Sequence, residues 1–266
     1  MTKEEKKEQE LQTIIQSLTL MDDEFMSAVF QDNLDGTNLV LRIFLNKPEL
    51  NVHRVIAQHT LTNLQKRGVR LDIHAFGYGK EFDIEIQRAG RGASPKRARY
   101  NLSVMDANSL LAGDDFEKLP ATYVIFITET DVLQLNEPIS FIKRQICGKN
   151  IVFEDDSAIV YVNGAYEDES TPLGKLVHDF RCTRAEDMYY PILRERVRYF
   201  KEEPEGVAHM CKAIEDFAEK RAEEEREQWI LRSVRKVMKN MKVTAKKAMD
   251  VLELDAETQK KYLPLL

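Results

Sequence analysis

Cysteine is scarce in this chain. There are three in 266 residues, Cys147, Cys182 and Cys211, widely spaced. They form no CxxC pair and no zinc-finger spacing, which excludes a disulfide framework and leaves reduced, buried thiols as the expectation. Long apolar runs are missing too. No stretch reaches 18 residues, so no membrane-spanning helix is expected. The opening segment MTKEEKKEQELQ has no apolar h-region of a secretion signal, and the expected location is the cytoplasm. Nor is there an excess of positive charge. With a formal net charge of −6, any nucleic-acid surface has to be a local patch.

What is present suits a globular protein with a real core: 43% hydrophobic and 32% charged residues over a length that accommodates one main domain plus extra elements. Residues 1–17 read as a charged N-terminal segment, 18–204 as the main domain and 205–266 as a helical C-terminal extension. In MDDEFMSAVF, Asp22, Asp23 and Glu24 crowd a helix start, and Phe25, Met26, Val29 and Phe30 make its buried face. GTNLVLRIFLNKPEL predicts a second helix, stopped by Pro48. From residue 53 the pattern alternates. VHRVIAQHTL, VRLDIHAFG and KEFDIEIQR read as strands, with Gly77-Tyr78-Gly79-Lys80 as the turn between the last two. SPKRARYNLSVMDANSLLAG predicts a helix from Ser94–Pro95 to Gly113. ATYVIFITET reads as a central strand, ISFIKRQI, NIVFEDD and AIVYVNG as further strands, and Asn163-Gly164 as a turn. Beyond residue 173 the chain turns helical.

The hairpin carries the chemistry. A turn about Tyr78-Gly79 pairs Gly77 with Lys80, and beyond them His74 with Asp83, Asp72 with Glu85 and Arg70 with Gln87, these last three pairs on one face. The other face carries Leu71, Ile73, Ala75, Phe82, Ile84 and Ile86. Asp72 and Glu85 then face each other with Cβ atoms ~5 Å apart, an arrangement that repels unless something positive lies between. A divalent cation answers that, because hard carboxylate oxygens converge on a hard ion that can stabilise charge on a phosphate. The alternative is an exposed face whose acids are neutralised by Arg70 or Lys80. His74 reads as a hydrogen-bonded histidine rather than a ligand.

Directly after Gln87, residues 88–99 hold Arg88, Arg91, Lys96, Arg97 and Arg99 and no acid. Arg97, Tyr100 and Asn101 share one helix face. Read from the residues alone, this segment is either a phosphate-contacting surface or a solvated face. A second basic run, Arg232 to Lys247, lies beside an apolar stripe of Val234, Val237, Met238 and Met241. It reads as a DNA-contacting tail, a helix that packs on a second copy, or a solvated amphipathic helix.

The ordered set LDI–x10–IEIQ, KRARYN and TYVIFIT resembles the PD-(D/E)XK nuclease family transposases, the recombination-promoting nucleases. The resemblance runs from MDDEFMSAVF to VRYFKEEPEGV and includes HDFRCTRAEDMYY. It implies an α/β (α+β) restriction-endonuclease-like core, a mixed central sheet flanked by helices, with Mg2+ as the metal and Mn2+ as its substitute. Asp72 takes the place of the motif's first acid and Glu85 the second. Gln87 stands where the superfamily motif has lysine, as is common in this family. Glutamine supplies hydrogen bonds but no charge. Asp23 resembles the family's acid on the first helix, and equally reads as a helix cap. The resemblance makes the basic segment a DNA contact, through Arg88, Arg97, Arg99 and Tyr100.

The expectation is therefore a Mg2+-dependent DNA endonuclease linked to recombination or mobile elements, with Asp72, Glu85 and Gln87 catalytic and Asp72, Glu85 and Asp23 holding the metal. Its rival is a catalytically silent DNA-binding or assembly module on the same fold, and an RNA substrate is a third reading. A homo-oligomer built through the C-terminal helices would suit either.

Overall fold

Three antiparallel strands joined by short connections begin the central sheet, and a helical crossover turns its other half parallel. The computed structural model describes residues 2–62, 68–88 and 92–266, the side chains of Lys3, Glu4 and Glu224 aside. The chain divides into two compact units, Met1–Cys211 and Lys212–Leu266.

The first unit opens with α1 (Lys3–Ser17), α2 (Asp23–Phe30) and α3 (Leu34–Leu45). Helix α3 starts before Gly36, because the Asn33 side chain caps it by accepting from the Gly36 amide at 2.9 Å. It ends at Asn46, in the left-handed region at φ 49°, ahead of Pro48. The sheet follows as β1 (Val52–Thr62), β2 (Gly68–Gly77) and β3 (Lys80–Gln87), then α4 (Pro95–Ser109), β4 (Ala121–Thr128), β5 (Ile139–Ile142), β6 (Gln145–Ile146), β7 (Ile151–Val152) and β8 (Ser157–Asn163). Helices α5 (Pro172–Arg181) and α6 (Pro191–Glu202) complete it.

Six strands make one mixed sheet in the order β1-β2-β3-β4-β8-β5. β1, β2 and β3 are antiparallel, β3–β4 and β4–β8 parallel, and β5–β8 antiparallel. The parallel β3–β4 pair requires a crossover, which α4 supplies. The β2–β3 register is the expected one, with Gly77 opposite Lys80 and His74 opposite Asp83. Gly79 takes φ +64° in that turn, a conformation an L side chain rarely adopts. At the far end of β8, Gly164 donates to Thr128 O at 2.7 Å, and a Cβ there would sit 2.3 Å from the same oxygen, so only glycine fits.

Helix α4 covers one face of the sheet. Ala98, Leu102 and Met105 pack with Leu61, Leu71, Val124, Phe126 and Tyr161. The intervening residues Phe82, Ile84, Ile86, Ile125 and Ile127 are buried in the opposite direction. Helices α2 and α3 lie against β1, and α6 and α5 pack on them in turn. The structure is thus a mixed sheet flanked by helices.

Four expectations need correction. Leu71 belongs to the α4-side cluster, not with Ile73 and Ala75, because β2 leaves its ladder with β3 at this point. Helix α4 stops at Ser109 rather than Gly113; Leu110 is already extended. The stretches ISFIKRQI and NIVFEDD contribute only β5 to the main sheet, while β6 and β7 form a separate two-stranded ladder. The cysteines are free but not buried: Cys147 is exposed and the other two are partly covered.

In the second unit, the remainder of α7 (Pro204–Met241), α8 (Ala245–Val251) and α9 (Ala256–Tyr262) share a small core of Ile230, Val234, Ala248, Met249 and Tyr262. Val237 and Met238 join it, so most of the apolar stripe beside the basic run is covered by the chain's own helices, while Met241 stays exposed. Among the described residues, no helix is long and apolar enough to cross a membrane.

Candidate active site

The β2–β3 ladder is regular from Gly77–Lys80 to Ile73–Ile84 and then gives way to carboxylates. The Asp72 amide donates to Glu85 Oε1 at 3.3 Å, and the Ile86 amide donates to Asp72 Oδ2 at 3.0 Å. Side-chain oxygens thus accept the amides at the point where the strands part. Asp72 and Glu85 are brought together as the hairpin geometry implies, but they are buried, not displayed on a wet face.

The burial follows from the neighbouring strand. Asp83 and Glu85 stand level with Val124 and Phe126 on β4, in the layer covered by α4. Burial pushes the Glu85 carboxyl well above the ordinary range. The nearby Asp83 charge adds to this and the Arg97 guanidinium opposes it. Asp72 is raised by burial first, then by the charges of Glu85 and Asp23. Asp83 is pushed up to about 7, again chiefly by burial. It accepts from Asn101 Nδ2 at 3.0 Å through Oδ2, while among the described residues its buried Oδ1 has no hydrogen-bond donor.

Arg97 reaches from α4 and ion-pairs with Glu85 Oε2; it also donates to Gly92 O at 3.2 Å. Ser94 positions it by capping α4, accepting from the Arg97 amide at 3.2 Å. Gln87 lies at the rim, its Nε2 donating to Glu85 Oε2 at 3.4 Å. Asp23, in the first turn of α2, lies close enough for its charge to raise Asp72, and the N-cap of that helix is Asp22. Arg88 ion-pairs with Asp22 at 2.8 Å, so it braces β3 against the start of α2. Arg91 falls outside the described residues. Lys96, Arg97, Arg99 and Tyr100 line a surface cavity together with Arg70 and Ser94. Arg97 therefore belongs both to this basic cavity and to the buried acids.

Two participants escape a reading of the acid pair alone. Asp83 and Asn101 form the deepest polar contact of the site. The available signals were the even spacing of Asp83 and Glu85 along β3 and the i, i+4 spacing of Arg97 and Asn101 on α4. The second is a hydrogen-bonded chain with His74 and Glu81 buried at its middle and His59 and Ser109 partly exposed at its ends. His59 Nδ1 lies 2.7 Å from His74 Nδ1, His74 Nε2 lies 2.5 Å from Glu81 Oε1, and Ser109 Oγ donates to Glu81 Oε2 at 2.6 Å. His74 is thus hydrogen-bonded on both nitrogens, as a non-ligand histidine should be.

Compared with family models, curated proteins and solved structures, the chain matches none. The donor set itself suits a hard cation. Three buried acids meet one guanidinium, and each is raised by burial with the charge of a neighbouring acid adding to it, a cost that a bound cation would relieve.

Proposed function

We propose that this protein is a metal-dependent nuclease that hydrolyses phosphodiester bonds in DNA, with the PD-(D/E)XK type of site to which its sequence motifs point. The observation that carries the reading is the Asp72–Glu85 pair, buried where β2 and β3 part and joined through Arg97 to a basic cavity. Asp72 and Glu85 would hold Mg2+, with Asp23 beside them. The ion would supply charge neutralisation and Lewis acidity at the phosphate.

The chain's own groups account for the rest. Lys96, Arg97 and Arg99 offer cationic contacts to a phosphate backbone crossing the cavity. Tyr100 offers a ring and a hydroxyl at the same rim. Gln87 orients a water or a phosphate oxygen by hydrogen bonding, since it can neither donate nor take a proton. Asp83, held by Asn101, lies behind the pair as a third buried acid whose charge bears on Glu85.

The test is plasmid nicking by the purified full chain across a Mg2+ titration. Mg2+-dependent nicking that falls about a hundredfold or more in Asp72→Asn and Glu85→Gln supports the enzyme. Wild-type rates in both variants would sink it. One feature favours the silent DNA-binding module instead: the position that lysine occupies in the superfamily is an uncharged glutamine, bonded to Glu85. Salt-sensitive DNA binding without nicking at any Mg2+ or Mn2+ concentration supports that module.

A further inference from the structure

A cluster of different chemistry closes helix α5. His178 lies in its last turn and Cys182 caps it. Among the described residues, His178, Asp179 and Cys182 bring an imidazole nitrogen, a carboxylate oxygen and a thiol within 4.8 Å of one another. Cys182 Sγ is 3.4 Å from His178 Nδ1, and Asp179 Oδ1 is 3.5 Å from the same nitrogen. With zinc–nitrogen bonds of about 2.0 Å and zinc–sulfur bonds of about 2.3 Å, the edges of a tetrahedral site are roughly 3.5 Å. Two of the cluster's three edges already have that spacing, and the third lies within 4.8 Å.

We propose that His178, Asp179 and Cys182 form a binding site for a borderline-soft divalent transition metal, zinc being the best match. One nitrogen, one sulfur and one oxygen are ligands that zinc accepts and that magnesium does not select. Asp179 is fully buried and held in place, accepting from the Tyr189 amide at 2.7 Å and the Tyr190 amide at 2.8 Å. Each of its oxygens keeps a further lone pair. The surroundings are anionic: burial first, then Asp179, Asp187 and Glu169, push the Cys182 thiol up to about 12, with Arg181 opposing. A metal ion relieves that charge and displaces the thiol proton to solvent.

One adjustment is required. Cys182 Sγ also lies 3.9 Å from His178 Nε2, so the sulfur faces the side of the ring. A turn of the imidazole about χ2 aims Nδ1 into the cluster. The His178 side chain is 28% exposed and packs edge-on against Tyr189, which leaves it room to turn. A surface cavity lined by His178 and Cys182 together with Thr183, Met188 and Arg194 opens onto two of the three ligands and would leave a fourth position to solvent or a small ligand. The site would close the end of α5, which Asp179 already joins through the Tyr189 and Tyr190 amides to the segment that leads into α6. It stands apart from the hard-oxygen site of Asp72 and Glu85.

Cobalt(II) titration of the full chain, read by absorbance, tests this. The expected result is a thiolate-to-cobalt charge-transfer band with tetrahedral visible bands, saturating at one equivalent and displaced by zinc. Cys182→Ser should abolish the band, His178→Gln should weaken cobalt binding by at least about tenfold, and Cys147→Ser should leave both unchanged. Cobalt held by Asp72 and Glu85 would give no thiolate band, so this outcome is independent of nuclease activity. Absence of the band in the wild-type protein, or its survival in Cys182→Ser, overturns the proposal. Should Cys182→Ser fail to fold, unaltered affinity in His178→Gln overturns it equally.

Discussion

The guanidinium of Arg97, on α4, ion-pairs with the wholly buried carboxylate of Glu85, on β3, while its own side chain remains 37% exposed. One residue thus joins solvent to a fully buried acid of the site. It is also the cation whose charge works against the rise in Glu85's pKa. Replacing Arg97 with glutamine leaves burial and Asp83 unopposed, so Glu85 should keep its proton to higher pH. The pH midpoint of Mn2+ binding, followed by loss of the free-ion paramagnetic resonance signal, is expected to move up. An unchanged midpoint would mean that Glu85 does not hold the metal.

Asp83 makes stability fall as the solution becomes less acidic. Its carboxyl is raised to about 7 in the fold from an ordinary 3.8. Between those values the folded chain holds a proton that the unfolded chain has released. The resulting stabilisation is complete below the unfolded pKa and is lost as pH rises through about 7. Denaturant midpoints should therefore decline between pH 5 and pH 8, by an amount on the order of a few kcal/mol. Asp83→Asn can still accept from Asn101 and should make that decline shallower, the remainder coming from Asp72 and Glu85, which burial raises in the same direction.

Lys201 has a separate, purely structural role. Its ammonium, 3% exposed, donates to the carbonyls of Gln16, Leu18 and Thr183, joining α6 to the end of α1 and to the loop after α5. Lys201→Met keeps the stem and strands three acceptors. A loss of about 3 kcal/mol is expected in equilibrium unfolding, with no local change at the acid site.

The basic cavity should behave as an electrostatic surface. Reversing Lys96 or Arg99 to glutamate should weaken binding to DNA of any sequence. The slope of log affinity against log salt should fall by about one for each phosphate that is no longer neutralised. Arg88→Ala should have a smaller effect on DNA, because its partner is Asp22. Equal salt slopes for wild type and the Lys96 and Arg99 variants would remove the cavity from the DNA path.

The hairpin was legible because two signals agreed. The Gly77-Tyr78-Gly79-Lys80 turn set the register, and the alternation of KEFDIEIQR set the faces. The parallel β4 was legible as a central strand from its unbroken apolar run. What alternation could not give was depth. It placed Asp72, Asp83 and Glu85 on one face without showing that α4 would close over Asp83 and Glu85, since that follows from a crossover fixed by tertiary packing. The break in the ladder at Asp72 was equally invisible, and with it the displacement of Leu71. Arg88 shows the limit of reading charge from composition: it lies in a basic run, yet its partner Asp22 is far away in sequence. The HDFRC segment drew no chemical reading because its ligands follow neither a CxxC nor a zinc-finger spacing. His178 and Cys182 meet across one helical turn, and Asp179 joins them through a carboxylate fixed by amides from the next loop.

The departure of β2 from β3 gives the molecule an internal indicator. The Ile86 amide is bonded to the Asp72 carboxylate and not to a neighbouring backbone carbonyl. Its proton resonance and its exchange with deuterated solvent are therefore governed by whatever occupies that carboxylate: a proton, Arg97's field or a bound ion. Followed by nuclear magnetic resonance, a single backbone position would register the titration and loading of the site without substrate or turnover.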